Sequence, residues 1–312
     1  MKPQPGIKKS RTLTKTRLPQ FEHLEDRSLM AAMIPGVTLD PLLIPKFVTP
    51  LPNVLDPSYV YQAGGTTKAT LQNGSTTTVP LYTVGAYQTS QSLGLGTYAA
   101  LNITPPTGKL KTDPVVTNVY AYGSSAATAT YPGRTFEVQS NSPIAVKWVD
   151  GLTNGKHLLP VDPTVLDMTA AGMKSYTVSP ATVANTPQTG TTSAMNATFT
   201  AGIPLAPHVH GGHTQAAYDG TPEQWFTTKP TISGSDYVSG NWVYDNTQQA
   251  GNLWYHDHAM GITRLNAYVG LAALYLIRDA VDTGLADNPL GLPAGAYEVP
   301  LVIQDRKSTR LN

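Results

Sequence analysis

The sequence predicts an all-β protein, and three observations carry that prediction. Charged residues make up only 13% of the 312-residue chain, which is punctuated by 27 glycines and 26 prolines. At that density Gly and Pro break long helices and mark frequent turns. Thr, Ser, Val and Tyr are abundant through the middle of the chain, and β-branched and aromatic side chains suit a pleated surface. Short segments also alternate apolar and polar residues with the period of two that a half-buried strand requires.

The elements follow in order. Residues 1–34 form a basic leader. Phe21 to Ala32, with its Leu24-Glu25-Asp26-Arg27-Ser28-Leu29 core, resembles the leader segments of exported bacterial surface proteins, although no apolar run of signal-peptide length follows the basic start. Export to the cell envelope or the outside is therefore expected. Residues 35–285 read as one β domain. Arg134 to Gln139 places Phe136 and Val138 on one face, and Pro143 to Val149 places Ile144, Val146 and Trp148 inward. Asn141-Ser142 between them predicts a hairpin turn. Residues 165–200, rich in Thr, Ala and Ser, predict a long surface loop. Tyr268 to Ile277 is a nearly continuous apolar run, expected of a strand covered on both faces. Val299 to Ile303 predicts a further strand, within a linker or second-domain start at 286–306.

Charge and composition exclude several classes. Six of the 21 bases lie in residues 1–17, which contain no acid, so the remainder holds 15 bases against 20 acids. That mildly acidic body argues against nucleic-acid binding. The chain contains no cysteine, which removes disulfides, zinc–thiolate sites and a cysteine nucleophile. No run of 18 apolar residues exists, so no helical membrane span is expected.

The chemistry concentrates in the histidines. Of seven, four form two His-x-His pairs, His208-Val209-His210 and His256-Asp257-His258. On a strand, residues i and i+2 share a face with Cα atoms roughly 6.6 Å apart, so each pair can address one metal or two adjacent metals. Two such pairs side by side offer four imidazoles, a donor set suited to copper, zinc or iron and poorly suited to calcium or magnesium. A lone histidine is more often structural than ligating, and His157 and His213 are read as turn and loop residues. His208-x-His210-x-x-His213 also fits the spacing of metallo-β-lactamase-like zinc hydrolases. That family carries an Asp where Gly212 stands, and its pattern leaves the second pair unexplained.

The sequence around the pairs resembles a specific family. Pro207-His208-Val209-His210-Gly211-Gly212 is similar to the first copper motif of multicopper oxidases. Leu253-Trp254-Tyr255-His256-Asp257-His258-Ala259-Met260-Gly261-Ile262-Thr263-Arg264-Leu265-Asn266 is similar to their second, in the form typical of the spore-coat laccase and bilirubin oxidase branch. Tyr131 to Val138, His157 to Asp162 and Asp219 to Phe226 resemble further segments of that branch. Arg134 stands where the family has a proline. The resemblance covers roughly residues 40–306.

It implies a Greek-key β-sandwich of cupredoxin type with an extended N-terminal arm. It also implies that His208 binds a type 2 copper, that His210, His256 and His258 bind a type 3 pair, and that each ring's other nitrogen donates a supporting hydrogen bond. Asp219 matches an acidic residue near the cluster, where it would relay protons; Asp219-Gly220 is equally a strong turn pair. Trp254 and Tyr255 are expected to wall the cluster. The family's downstream histidine and His-Cys-His motifs are missing here, and a blue copper site needs a thiolate. The expectation is an N-terminal piece that lacks further cupredoxin domains, with Lys307 to Asn312 a non-native tail. The intact enzyme would oxidise phenolic, bilirubin-like or metal-ion donors and reduce dioxygen to water. The rival reading is a non-catalytic copper-binding surface protein.

Overall fold

The computed structural model describes residues 40, 42–159, 161, 178–180, 197–199, 201–229 and 232–304. The leader at 1–34, the tail at 307–312 and most of the 165–200 stretch lie outside the described residues. Eleven strands are present among the described residues: β1 (Gly65–Thr70), β2 (Thr76–Thr97), β3 (Pro114–Gly123), β4 (Phe136–Gln139), β5 (Ile144–Asp150), β6 (Val178–Pro180), β7 (Ala197–Phe199), β8 (Pro207–His210), β9 (Trp242–Tyr244), β10 (Gly251–Asp257) and β11 (Ala272–Arg278). One short helix, α1 (Thr263–Val269), joins β10 to β11. No helix among the described residues is long and apolar enough to cross a membrane.

Two sheets pack face to face as a β-sandwich. The first runs β1-β2-β5-β9, with β3 also paired to β2; the second runs β4-β11-β10-β8. One continuous core lies between them. The first sheet contributes Val84, Tyr122, Ile144, Val146 and Trp148, and the second contributes Phe136, Val138, Val209, Tyr255 and Tyr275. Rings meet across the gap: Tyr122 lies 5.0 Å and Trp148 5.9 Å from Tyr255. Central β11 is buried at all seven positions, as expected of a strand flanked by neighbours and covered on both faces.

Three local expectations need correction. Asn141-Ser142 does not close a hairpin. β4 pairs in parallel with β11, whereas β5 pairs with β2 and β9 in the other sheet. Both strands alternate correctly, yet their apolar residues reach the same core from opposite sides, so the turn is a corner between sheets. Second, the apolar run from Tyr268 is not all strand. Its first two residues finish α1, and Gly270, at φ 134°, stops the helix where a Cβ would lie 2.1 Å from the Tyr120 carbonyl oxygen. Third, Val299 to Ile303 forms no strand. Leu301 and Ile303 are exposed, and the stretch pairs with no described strand. Within the expected 165–200 loop, β6 and β7 pair with each other, and Phe199 is buried.

Candidate metal centre

β8 and β10 are adjacent antiparallel strands, and their register sets His256 opposite His208 and Trp254 opposite His210. Strand periodicity does the rest. His208, His210, Trp254 and His256 share one face. Val209, Tyr255 and Asp257 take the other and enter the core, each at most 2% exposed. Tyr255 packs among Tyr122, Phe136 and Trp148, and its hydroxyl donates to the Arg134 carbonyl at 2.8 Å. The ligand-bearing strand is therefore anchored by the residues that alternate with the histidines.

On the histidine face, one ring nitrogen each of His208, His210 and His256 lies within 4.8 Å of the others. His258, just past the end of β10, adds a fourth ring 5.0 Å from that of His208 and 5.6 Å from that of His256. It falls outside the mutual set of three. Carbonyls fix two of the tautomers, because a carbonyl can only accept. The Nδ1–H of His208 donates to the Asp219 carbonyl, and that of His256 to the Asp257 carbonyl at 2.6 Å. Each leaves a free Nε2 lone pair. The Nδ1 of His210 stands 3.2 Å from the Nε2 of His256, so a proton or a cation must lie between them. His258 departs from the expected pattern: its Nδ1 is buried and has no hydrogen-bond partner among the described residues.

Electrostatics keeps two of these rings in ligand form. Burial, with smaller contributions from the neighbouring imidazoles, lowers the His256 pKa to about 4 and also lowers that of His258. A protonated imidazole cannot ligate; a neutral one can. Clustered imidazole nitrogens with no carboxylate in the mutual set fit a transition metal of the copper class. Trp254 stacks on His256 at 4.1 Å and 22° and on His210 at 5.2 Å and 27°. It covers one flank of the group while remaining 39% exposed itself.

Asp219 lies beside the group, with its carboxylate Oδ1 3.6 Å from the Nδ1 of His208. Its backbone carbonyl is the nearer partner. Its turn role is plain, since Gly220 at φ 74° packs so closely on β8 that a Cβ would sit 2.0 Å from the Pro207 carbonyl oxygen. His213 is exposed, its backbone N–H donates to the Gln248 side-chain oxygen at 2.6 Å, and it is not one of the three grouped ligands. Among the described residues, His213 joins no metal-holding group with His208 and His210, as the zinc-hydrolase spacing would require. His157 does order a turn, its Nδ1 lying 2.9 Å from the Leu159 nitrogen and 3.1 Å from the Leu159 carbonyl oxygen, and its Nε2 reaches Asn266 at 3.0 Å.

Sequence reasoning missed Asp257 and Asn266. Asp257 is fully buried, and its carboxylate accepts from the Ala206 N–H (2.7 Å), the Ala259 N–H (3.1 Å) and the Asn266 amide (2.7 Å). Burial raises its pKa to about 7 against those three lowering bonds. The available signal was parity: the middle residue of a strand-borne His-x-His points into the core, and an acid there needs donors.

Comparison with known proteins finds similarity to multicopper oxidases and laccases. The chain is 35% identical over 191 residues to the rice multicopper oxidase LPR1 homolog 5, covering 61% of this chain and 25% of the relative. It is 36% identical to a laccase of Bacillus stratosphericus (64% of this chain, 31% of the relative) and 32% identical to a laccase of Bacillus subtilis (67% and 34%). It spans about a quarter to a third of the length of these curated relatives. A solved multicopper oxidase from Pediococcus acidilactici aligns at 15% identity with a TM-score of 0.38, covering 70% of this chain and 28% of its own. No family model matches.

Proposed function

Because this chain belongs to the multicopper oxidase family, we propose that it supplies one side of an oxygen-reducing copper cluster through His208, His210, His256 and His258. The enzyme that contains it takes electrons from phenolic, bilirubin-like or metal-ion donors and reduces dioxygen to water. The observation that carries this reading is the convergence of three imidazole nitrogens within 4.8 Å from two adjacent strands. His208 is assigned to the type 2 copper, and His210, His256 and His258 to the type 3 pair. Copper, when bound, supplies one-electron cycling between donor and dioxygen.

The chain's own residues orient and protect that centre. The Asp219 and Asp257 carbonyls hold the Nδ1–H groups of His208 and His256 outward, so that their Nε2 atoms face the shared space. Trp254 shields the His256 and His210 rings on one flank. Asp219 Oδ1, next to His208 and 35% exposed, is placed to deliver protons from solvent; reduction of one dioxygen to two waters consumes four. In the enzyme comprising this chain and downstream cupredoxin domains, His256→Ala should abolish oxygen uptake while substrate still bleaches the blue type 1 copper. Asp219→Asn should slow oxygen uptake by roughly 10²–10⁴-fold, the usual worth of general-acid assistance. Copper retention without any donor-dependent oxygen uptake by the wild type would favour a non-catalytic copper-binding role and sink this reading.

A further inference from the structure

We propose that His157, Asn266 and Asp257 form a buried positioning chain that sets the spacing between the two histidine pairs without touching the metal. This rests on the copper reading above and adds three residues to it. Asp257 alternates with His256 and His258 and faces the opposite way, into the core. One oxygen of its carboxylate accepts the N–H of Ala206, the residue before β8, at 2.7 Å. The other accepts the N–H of Ala259, just beyond His258, at 3.1 Å. The Ala206 carbonyl accepts the His258 N–H at 2.8 Å. A single side chain thus joins the segments that lead into both histidine pairs.

Asp257 is in turn held from behind. The Asn266 amide on α1 spends both of its N–H groups, one on the Asp257 carboxylate at 2.7 Å and one on the Pro204 carbonyl at 3.0 Å. Its oxygen faces the His157 Nε2 at 3.0 Å. Because both amide N–H groups are committed to oxygens, the Asn266 oxygen can only accept, so the His157 Nε2–H donates to it, while Nδ1 lies against the Leu159 backbone, 2.9 Å from its nitrogen and 3.1 Å from its carbonyl oxygen. That donation helps hold the amide with its N–H groups towards Asp257 and Pro204. Both Asn266 and Asp257 are fully buried. A satisfied buried network of this kind specifies one geometry, and partners behind metal ligands tune affinity by roughly 10–100-fold.

The test uses the 312-residue chain and copper ions alone. Equilibrium dialysis gives Cu(II) affinity, electron paramagnetic resonance gives the ligand field, and circular dichroism reports the fold. His157→Phe removes both ring bonds; His157→Gln can restore a donor and an acceptor. A folded His157→Phe chain should bind Cu(II) roughly 10–100-fold more weakly, with a changed hyperfine pattern, and His157→Gln should recover both. In the wild type, independently of any substitution, Cu(I) should shift the NMR resonances of the Asn266 side-chain amide and the Ala206 N–H. Folded His157→Phe with wild-type affinity and spectrum, or unmoved Asn266 and Ala206 resonances in a Cu(I)-loaded chain, would overturn the positioning role alone. A wild-type chain that takes up no copper, or takes it up undiminished after His208→Ala and His256→Ala together, would overturn the copper reading and this inference with it.

Discussion

Burial decides the protonation state of single residues around this site, and that has a measurable consequence at His157. Desolvation lowers its folded pKa from 6.5 to about 4, against two raising hydrogen bonds. Between those values the unfolded chain binds a proton that the folded chain excludes. The resulting stability is fully present above about pH 6.5 and is lost as pH falls towards 4. Relative to His157→Gln, the wild type should therefore lose up to roughly 3 kcal/mol between pH 7 and pH 4. Urea unfolding of both chains across that range checks it, and parallel pH profiles would show that His157 contributes nothing of the kind. At this scale the sequence was partly legible. The two His-x-His pairs declare themselves because strand period puts each pair on one face. The partners of Asp257 do not, because its Ala206 contact spans 51 residues of chain and depends on the pairing of strands that spacing alone cannot assign.

Among the elements, β8 and β10 matter most, since a slip of one residue in their register would turn every histidine to the wrong face. The Asp219-Gly220 turn closes onto the start of β8 and helps hold it. Gly220 adopts φ 74° with no room for a Cβ, which would meet the Pro207 carbonyl oxygen at 2.0 Å. Gly220→Ala should cost roughly 1–3 kcal/mol in backbone strain and, by displacing β8, weaken copper binding. Thermal melts with and without Cu(II) measure both, and an unchanged melting temperature would show that the turn has slack. The apolar alternation of β4 and β5 was readable in the sequence, but their pairing was not. A short turn between two alternating strands serves a hairpin or a sheet-to-sheet corner equally well, and the choice is made by partners such as Tyr275 and Tyr82, which lie far along the chain.

At the largest scale, the described residues after Leu43 form a sandwich whose second sheet carries the histidines at its β8 edge and is tied elsewhere by a buried cation. Arg278, 4% exposed at the end of β11, pairs with Glu137 of β4 at 2.8 Å and with Glu298 at 2.7 Å, and it also reaches Asp282 at 3.2 Å. This cluster fastens the segment after β11 to the sheet, which is how Val299 to Ile303 stays attached without being a strand. The all-β class followed directly from composition and period. The cupredoxin layout followed from motif resemblance, because periodicity alone does not order strands between sheets. The account's central claim is that two histidine pairs on neighbouring strands make one copper-holding group. Electron paramagnetic resonance of the chain titrated with Cu(II) tests it most directly. The account predicts a signal split by several imidazole nitrogens that is lost in His208→Ala and in His256→Ala and is unchanged in His213→Ala. A signal that survives both of the first two substitutions, or disappears with His213→Ala, would contradict it.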